Sequence, residues 1–345
     1  MNDSTKILFE RKSMFQTIMS ETYLSALYRD FDKLSEKPED ADEFFNIIPI
    51  NTSNEDLLSY LMTYEYILIN LNKYDSIKFQ KIHKGTPFYL LGILSFVIKD
   101  FERAVFYMDA ALSEDTRSYP TQGETPSKLF FALDIKNQNQ MALPIVEKIR
   151  NLIKSMLRNM SVNGGPLLTH EILAQKLINS ESNELRSLAT AYLSFILEYE
   201  ARINQLLISS ERGGTGEPFL LHLIKGAIIF ESLLANSEIG KKITKRELNS
   251  YLKDNNIISN LDLDNKPKNF DSTTYDKLIK SVLSIKKDET KYSNKCIRVT
   301  WGVRNLLTHS IGWPKPSIQE YDILFNYIFG AICYAIDGLY SKDSE

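Results

Sequence analysis

Cysteine is nearly absent from this chain, with two copies in 345 residues, Cys296 and Cys333. That excludes a disulfide framework, and neither cysteine stands at a zinc-ligand spacing, so no metal or cofactor is expected and a reducing compartment is. Histidine is scarce too, at four copies, which leaves few groups suited to proton transfer near neutral pH. Convincing period-two alternation is missing, which argues against a half-buried sheet. The opening residues MNDSTKILFERKSMF lack the charged start, apolar run and small-residue cleavage site of a secretory signal. The most apolar stretches, near 88–98 and 219–234, are broken by charge or fall short of a bilayer's thickness. A cytoplasmic protein without a membrane partner is the expectation.

What the chain does have is apolar spacing of three and four residues almost throughout, which predicts an all-α fold. Leu57, Leu58, Leu61, Tyr64 and Ile67 make one helical stripe, and Leu188, Tyr192, Phe195, Ile196 and Tyr199 a second. Phe325, Ile328, Phe329, Ile332 and Ile336 make a third. A chain of 345 residues is long for one core, so two domains are expected. The turn Asn163-Gly164-Gly165-Pro166 is the candidate boundary. It separates a helical region at 1–165 from a second domain at 187–340, the latter with a polar insertion near 239–291.

Net charge is −3, but residues 241–304 hold 15 Lys/Arg against 8 Asp/Glu, so a polyanion would favour that region. Lys241, Lys242, Lys245 and Arg246 cluster there and are candidate phosphate contacts, which need only cations near a groove. A solvated, lysine-rich surface would have the same composition.

In residues 83–116, Phe88, Leu91, Gly92, Ala104, Met108 and Ala111 stand where a tetratricopeptide repeat has its packing residues. The small residues let two antiparallel helices approach while Phe88 and Met108 fill the groove. The segment resembles such a repeat, with Ser95 where an aromatic is usual and Thr116 where proline is common. An ordinary helical hairpin would use the same residues. The resemblance implies a protein partner for the N-terminal region.

The strongest local signal is Trp301-Gly-Val-Arg304-Asn305-Leu-Leu-Thr-His309, near the end of an apolar-periodic helix, with Gly312 and Pro314 as stop signals. Five residues on an ideal helix separate two side chains by about 140°, so His309 is expected in the last turn or just beyond it. Arg304-Asn305-x-x-x-His309 resembles the R-N-x-x-x-H form of the motif of HEPN domains, and the resemblance covers roughly residues 187–340. Those domains are four-to-five-helix bundles that often dimerise with their motifs facing each other, and many are metal-independent endoribonucleases of toxin, CRISPR-effector and phage-defence systems. The resemblance implies RNA as partner, a homodimer, and attack of the ribose 2′-OH on the adjacent phosphate to leave a cyclic phosphate.

The residue types suit that chemistry. Histidine, with an unperturbed pKa of about 6.5, can exchange a proton near neutral pH. Arginine stays charged and binds phosphate oxygens as a planar fork. Asn305 would orient either group. The family often carries an acidic residue on an early apolar helix aimed at this arginine, and Glu231 in Gly226-Ala-Ile-Ile-Phe230-Glu231 is the candidate, with Arg304 its expected partner. The other class of function is a non-catalytic helical scaffold that binds RNA or a protein. His83 and His222 have no sequence neighbours that would recruit them to catalysis, and the glycine-rich 211–216 lacks a phosphate-loop pattern.

Overall fold

A computed structural model describes residues 21–46, 57–119, 124–162, 168–169, 183–209, 214–237, 271–286, 292–307 and 313–340. Among them are thirteen α-helices and no strand, so the fold is all-α. The chain divides into two compact units between Val146 and Glu147. The expected boundary at 163–166 lies outside the described residues, and the units part before it, inside a helix.

Unit 1 contains α1 (Glu21–Lys33), α2 (Pro38–Phe45), α3 (Leu57–Tyr74), α4 (Ser76–Lys81), α5 (Gly85–Val97), α6 (Phe101–Ser118) and α7 (Pro126–Phe131). Helix α8 (Leu143–Val162) runs across the division. Helices α5 and α6 pack together most extensively, with Ala104, Met108 and Ala111 fully buried and Met108 Cγ only 2.9 Å from where a Gly92 Cβ would stand. Phe88 is partly buried and stacks on Tyr107, ring centroids 6.1 Å apart. The turn between them closes with the Asp100 amide on Ser95 O, which puts Lys99 in the left-handed region at φ 64°. Asp100 then caps α6 by accepting from the Arg103 amide. Of the predicted stripe on α3, Leu61, Tyr64 and Ile67 are buried, whereas Leu58 is 55% exposed. The buried face is centred among Leu61, Tyr64, Leu68 and Leu71, and at 3.6 residues per turn Leu58 points about 100° away from that centre.

Unit 2 holds the rest of α8 with α9 (Asn183–Ile208), α10 (Glu217–Asn236), α11 (Tyr275–Lys286), α12 (Tyr292–Leu307) and α13 (Ile318–Tyr340). Helix α13 packs on α12, α10 and α9, and its predicted stripe from Phe325 to Ile336 is buried throughout. Close approach needs small residues at two crossings. A Cβ on Gly226 would fall 2.5 Å from the Phe195 ring and 2.6 Å from Ile328, and one on Gly330 would fall 2.6 Å from Cys296 Sγ. Cys296 and Cys333 are both fully buried free thiols, and burial raises both thiol pKa values.

Two helices combine length with apolar composition. Residues 219–234 belong to the 20-residue α10, and α13 has 23, and both pass a length-and-hydropathy test for a membrane span. Within unit 2 their apolar windows are 56% and 61% buried.

Candidate functional site

Helix α12 delivers Arg304 in its last turn, where a cation meets the negative end of the helix dipole. Helix α10 lies alongside and presents Phe230 and Glu231. The Phe230 ring sets its edge against Trp301, centroids 6.1 Å apart, one turn before Arg304. That contact fixes the register in which the two charged residues meet. Arg304 Nε donates to Glu231 Oε2 at 3.0 Å and Nη2 donates to Oε1 at 3.3 Å. The pair is two-pronged and partly solvated, with side-chain exposures of 36% for Arg304 and 30% for Glu231.

The carboxylate occupies only the Nε edge of the fork. The Nη1 end remains available to a second oxyanion, the geometry required of a phosphate-binding arginine. Asn305, the next residue, is exposed on the same helical end. The helix stops at Leu307, and His309 lies outside the described residues. So do Lys241, Lys242, Lys245 and Arg246. Of the predicted site, the structure therefore brings together Arg304 and Glu231 and sets Asn305 beside them. The loop before α10 serves packing: Gly216 lies against the backbone of Trp313 and Pro314, where a Cβ would come within 2.6 Å.

The two described histidines both have polar partners. His222 is 1% exposed, its Nε2 lies 2.7 Å from Phe195 O, and its Nδ1 lies 2.6 Å from Tyr321 OH. A carbonyl can only accept, so Nε2 carries the proton and Nδ1 accepts from the tyrosine. Burial between Phe195 and Phe325 pulls the His222 pKa down to about 4, with Glu198 opposing. Nearby, burial favours a neutral Glu198, but Lys225 at 2.6 Å and Ser194 at 2.8 Å hold its pKa below the usual carboxylate range. This is core architecture, since both imidazole nitrogens are already engaged.

His83, in unit 1, has a more open setting. Its Nδ1 lies 2.9 Å from Ser118 Oγ, and Nε2 faces Asp115 and Asp42 at 3.5 and 3.6 Å. Ser127 donates to the other oxygen of Asp115, and Thr86 and Tyr119 donate to Asp42. Gly85 allows the cluster to close, for a Cβ there would lie 2.3 Å from Asp115 Oδ1. The cluster joins α2, the start of α5, the end of α6 and α7, at the wall of a cavity of about 390 Å³. Among the described residues no three His, Cys, Asp or Glu side chains are arranged to hold a metal ion.

The chain matches no family model, no curated protein and no solved structure.

Proposed function

We propose that unit 2 is a metal-independent ribonuclease of the HEPN kind. The observation that carries this reading is the two-pronged Glu231–Arg304 pairing at the end of α12, a partnership the motif resemblance calls for and one that joins residues far apart in sequence. In this mechanism Arg304 binds a non-bridging phosphate oxygen through its free edge and stabilises the charge that grows on it. Glu231 holds the guanidinium in place. His309 exchanges the proton of the attacking 2′-OH or of the leaving oxygen, and Asn305 orients the phosphate or the imidazole. Lys241, Lys242, Lys245 and Arg246 follow the RNA backbone, and a homodimer brings two such sites to one cleft. A cytoplasmic role in phage defence or a toxin-like stress response, with unit 1 receiving a protein partner, completes the proposal.

The test is cleavage of end-labelled RNA in EDTA by wild type, His309→Ala and Glu231→Gln. Wild type should leave cyclic-phosphate ends, His309→Ala should lose at least about a hundredfold in rate, and Glu231→Gln should lose less. Equal cleavage by wild type and His309→Ala would remove the assignment. RNA binding without cleavage by any of the three would assign the scaffold role instead.

A further inference from the structure

At the opposite end of α12 from Arg304 lies a cavity of about 490 Å³, enclosed by α8, α9, α11, α12 and α13. Its volume falls in the range of roughly 300–1,000 Å³ usual for small-ligand sites. Three tyrosines line it: Tyr199, Tyr292 and Tyr327, the last two with ring centroids 5.8 Å apart. Met156 and Met160, one turn apart on α8, add a polarizable apolar wall. Aromatic rings and thioethers are the surfaces on which a flat heteroaromatic ring gains most.

The polar groups in the lining are few and of defined sense. Asp322 Oδ1 already accepts from the Tyr199 hydroxyl and from Asn326 Nδ2. That arrangement fixes the carboxylate and leaves Oδ2 as an acceptor. The Asn326 amide nitrogen donates to Asp322 O and Oδ1, which leaves the amide oxygen as a second acceptor. Two acceptors beside aromatic walls match a ring that carries an amino group. The cation in the lining is Lys286, whose residue is exposed, as suits a mouth that receives an anion. Burial raises the hydroxyl pKa of all three tyrosines, so their rings remain neutral stacking surfaces.

We propose that this cavity binds an amino-bearing nucleotide, its base against the tyrosine-lined wall, its amino group on Asp322 and Asn326, and its phosphate on Lys286. The site does not depend on the ribonuclease reading. Tyr292 opens α12 and Arg304 closes it, about 18 Å apart at 1.5 Å per residue, so a bound nucleotide would not touch the arginine. The nucleotide chemistry could come from a free mononucleotide or from one residue of an RNA strand.

Equilibrium dialysis of the full chain against labelled AMP, inosine monophosphate, adenosine and a short oligoadenylate tests the proposal. AMP should bind about tenfold tighter than inosine monophosphate, which has the same shape but an oxygen in place of the amino group. Lys286→Ala should weaken AMP about fivefold and leave adenosine unchanged. Ser155→Phe, at an exposed lining position, should abolish binding with an unaltered unfolding midpoint. Uptake of AMP assigns a free nucleotide, whereas uptake of oligoadenylate alone, lost in Ser155→Phe, assigns a strand. No binding of either, equal binding of AMP and inosine monophosphate, or binding that survives Ser155→Phe would overturn it.

Discussion

In unit 1, His83 faces carboxylates at the wall of an open cavity. In unit 2, His222 is closed between aromatic rings with a single proton arrangement available to it. Both are almost fully buried, so burial alone does not distinguish them. The difference lies in the partners. The His83 cluster ties four helices of unit 1 together with charges and hydroxyls, whereas His222 in unit 2 is closed among rings with both of its nitrogens engaged. Unit 1 should therefore fail when a charged partner is removed, and unit 2 when its packing or the neutrality of its core is disturbed.

The largest expected effect is on unit 2 in acid. The folded-state pKa of His222 is lowered to about 4 from 6.5, so the unfolded chain binds the additional proton between those values. The stabilisation is complete above about pH 6.5 and falls away toward about pH 4, by up to about 3 kcal/mol. Both tryptophans, Trp301 and Trp313, lie in unit 2, so their fluorescence in denaturant titrations reports the change. His222→Gln should flatten the profile, and an unchanged slope in that variant would sink the explanation.

Next comes a contrast of carboxylates. Asp115→Ala leaves buried Ser127 only the Thr125 hydroxyl at 3.3 Å and removes one face of the His83 cluster, and should cost unit 1 about 2–3 kcal/mol. Glu231→Ala breaks a pair that is about a third exposed, and after solvent screening should cost under about 1 kcal/mol. Urea midpoints of the two variants compare them directly, and equal losses would erase the distinction between rim and core.

A third contrast concerns glycine. Gly226→Ala drives a methyl into a phenylalanine ring and a branched isoleucine, and should cost about 2 kcal/mol. Gly92→Ala meets only the flexible Met108, and alanine's helix propensity returns about 1 kcal/mol, so it should be near neutral. Thermal midpoints in the reverse order would show that the α5–α6 crossing is the tighter of the two.

The helical class, the α5–α6 pair around Gly92 and Met108, and the Glu231–Arg304 pairing were legible because each rests on local spacing or on charge seeking charge in an apolar helix. The histidine settings were not. His83 meets Ser118 across 35 positions and His222 meets Tyr321 across 99, and no local pattern encodes such distances. Leu58 misled because its spacing to Leu61 is helical while it lies on the flank of the face that α3 buries. Lys225 interrupts the apolar run of α10, and Glu198 answers its charge inside the fold.

Cys296 and Cys333, sealed where α12 meets α13, make the protein its own opening clock. With burial raising both thiol pKa values, alkylating reagents have almost no thiolate to attack until those helices part. Unit 1 contains no cysteine, so the labelling rate of the native chain counts the excursions of unit 2 alone. A nucleotide held against Tyr292 should slow that count.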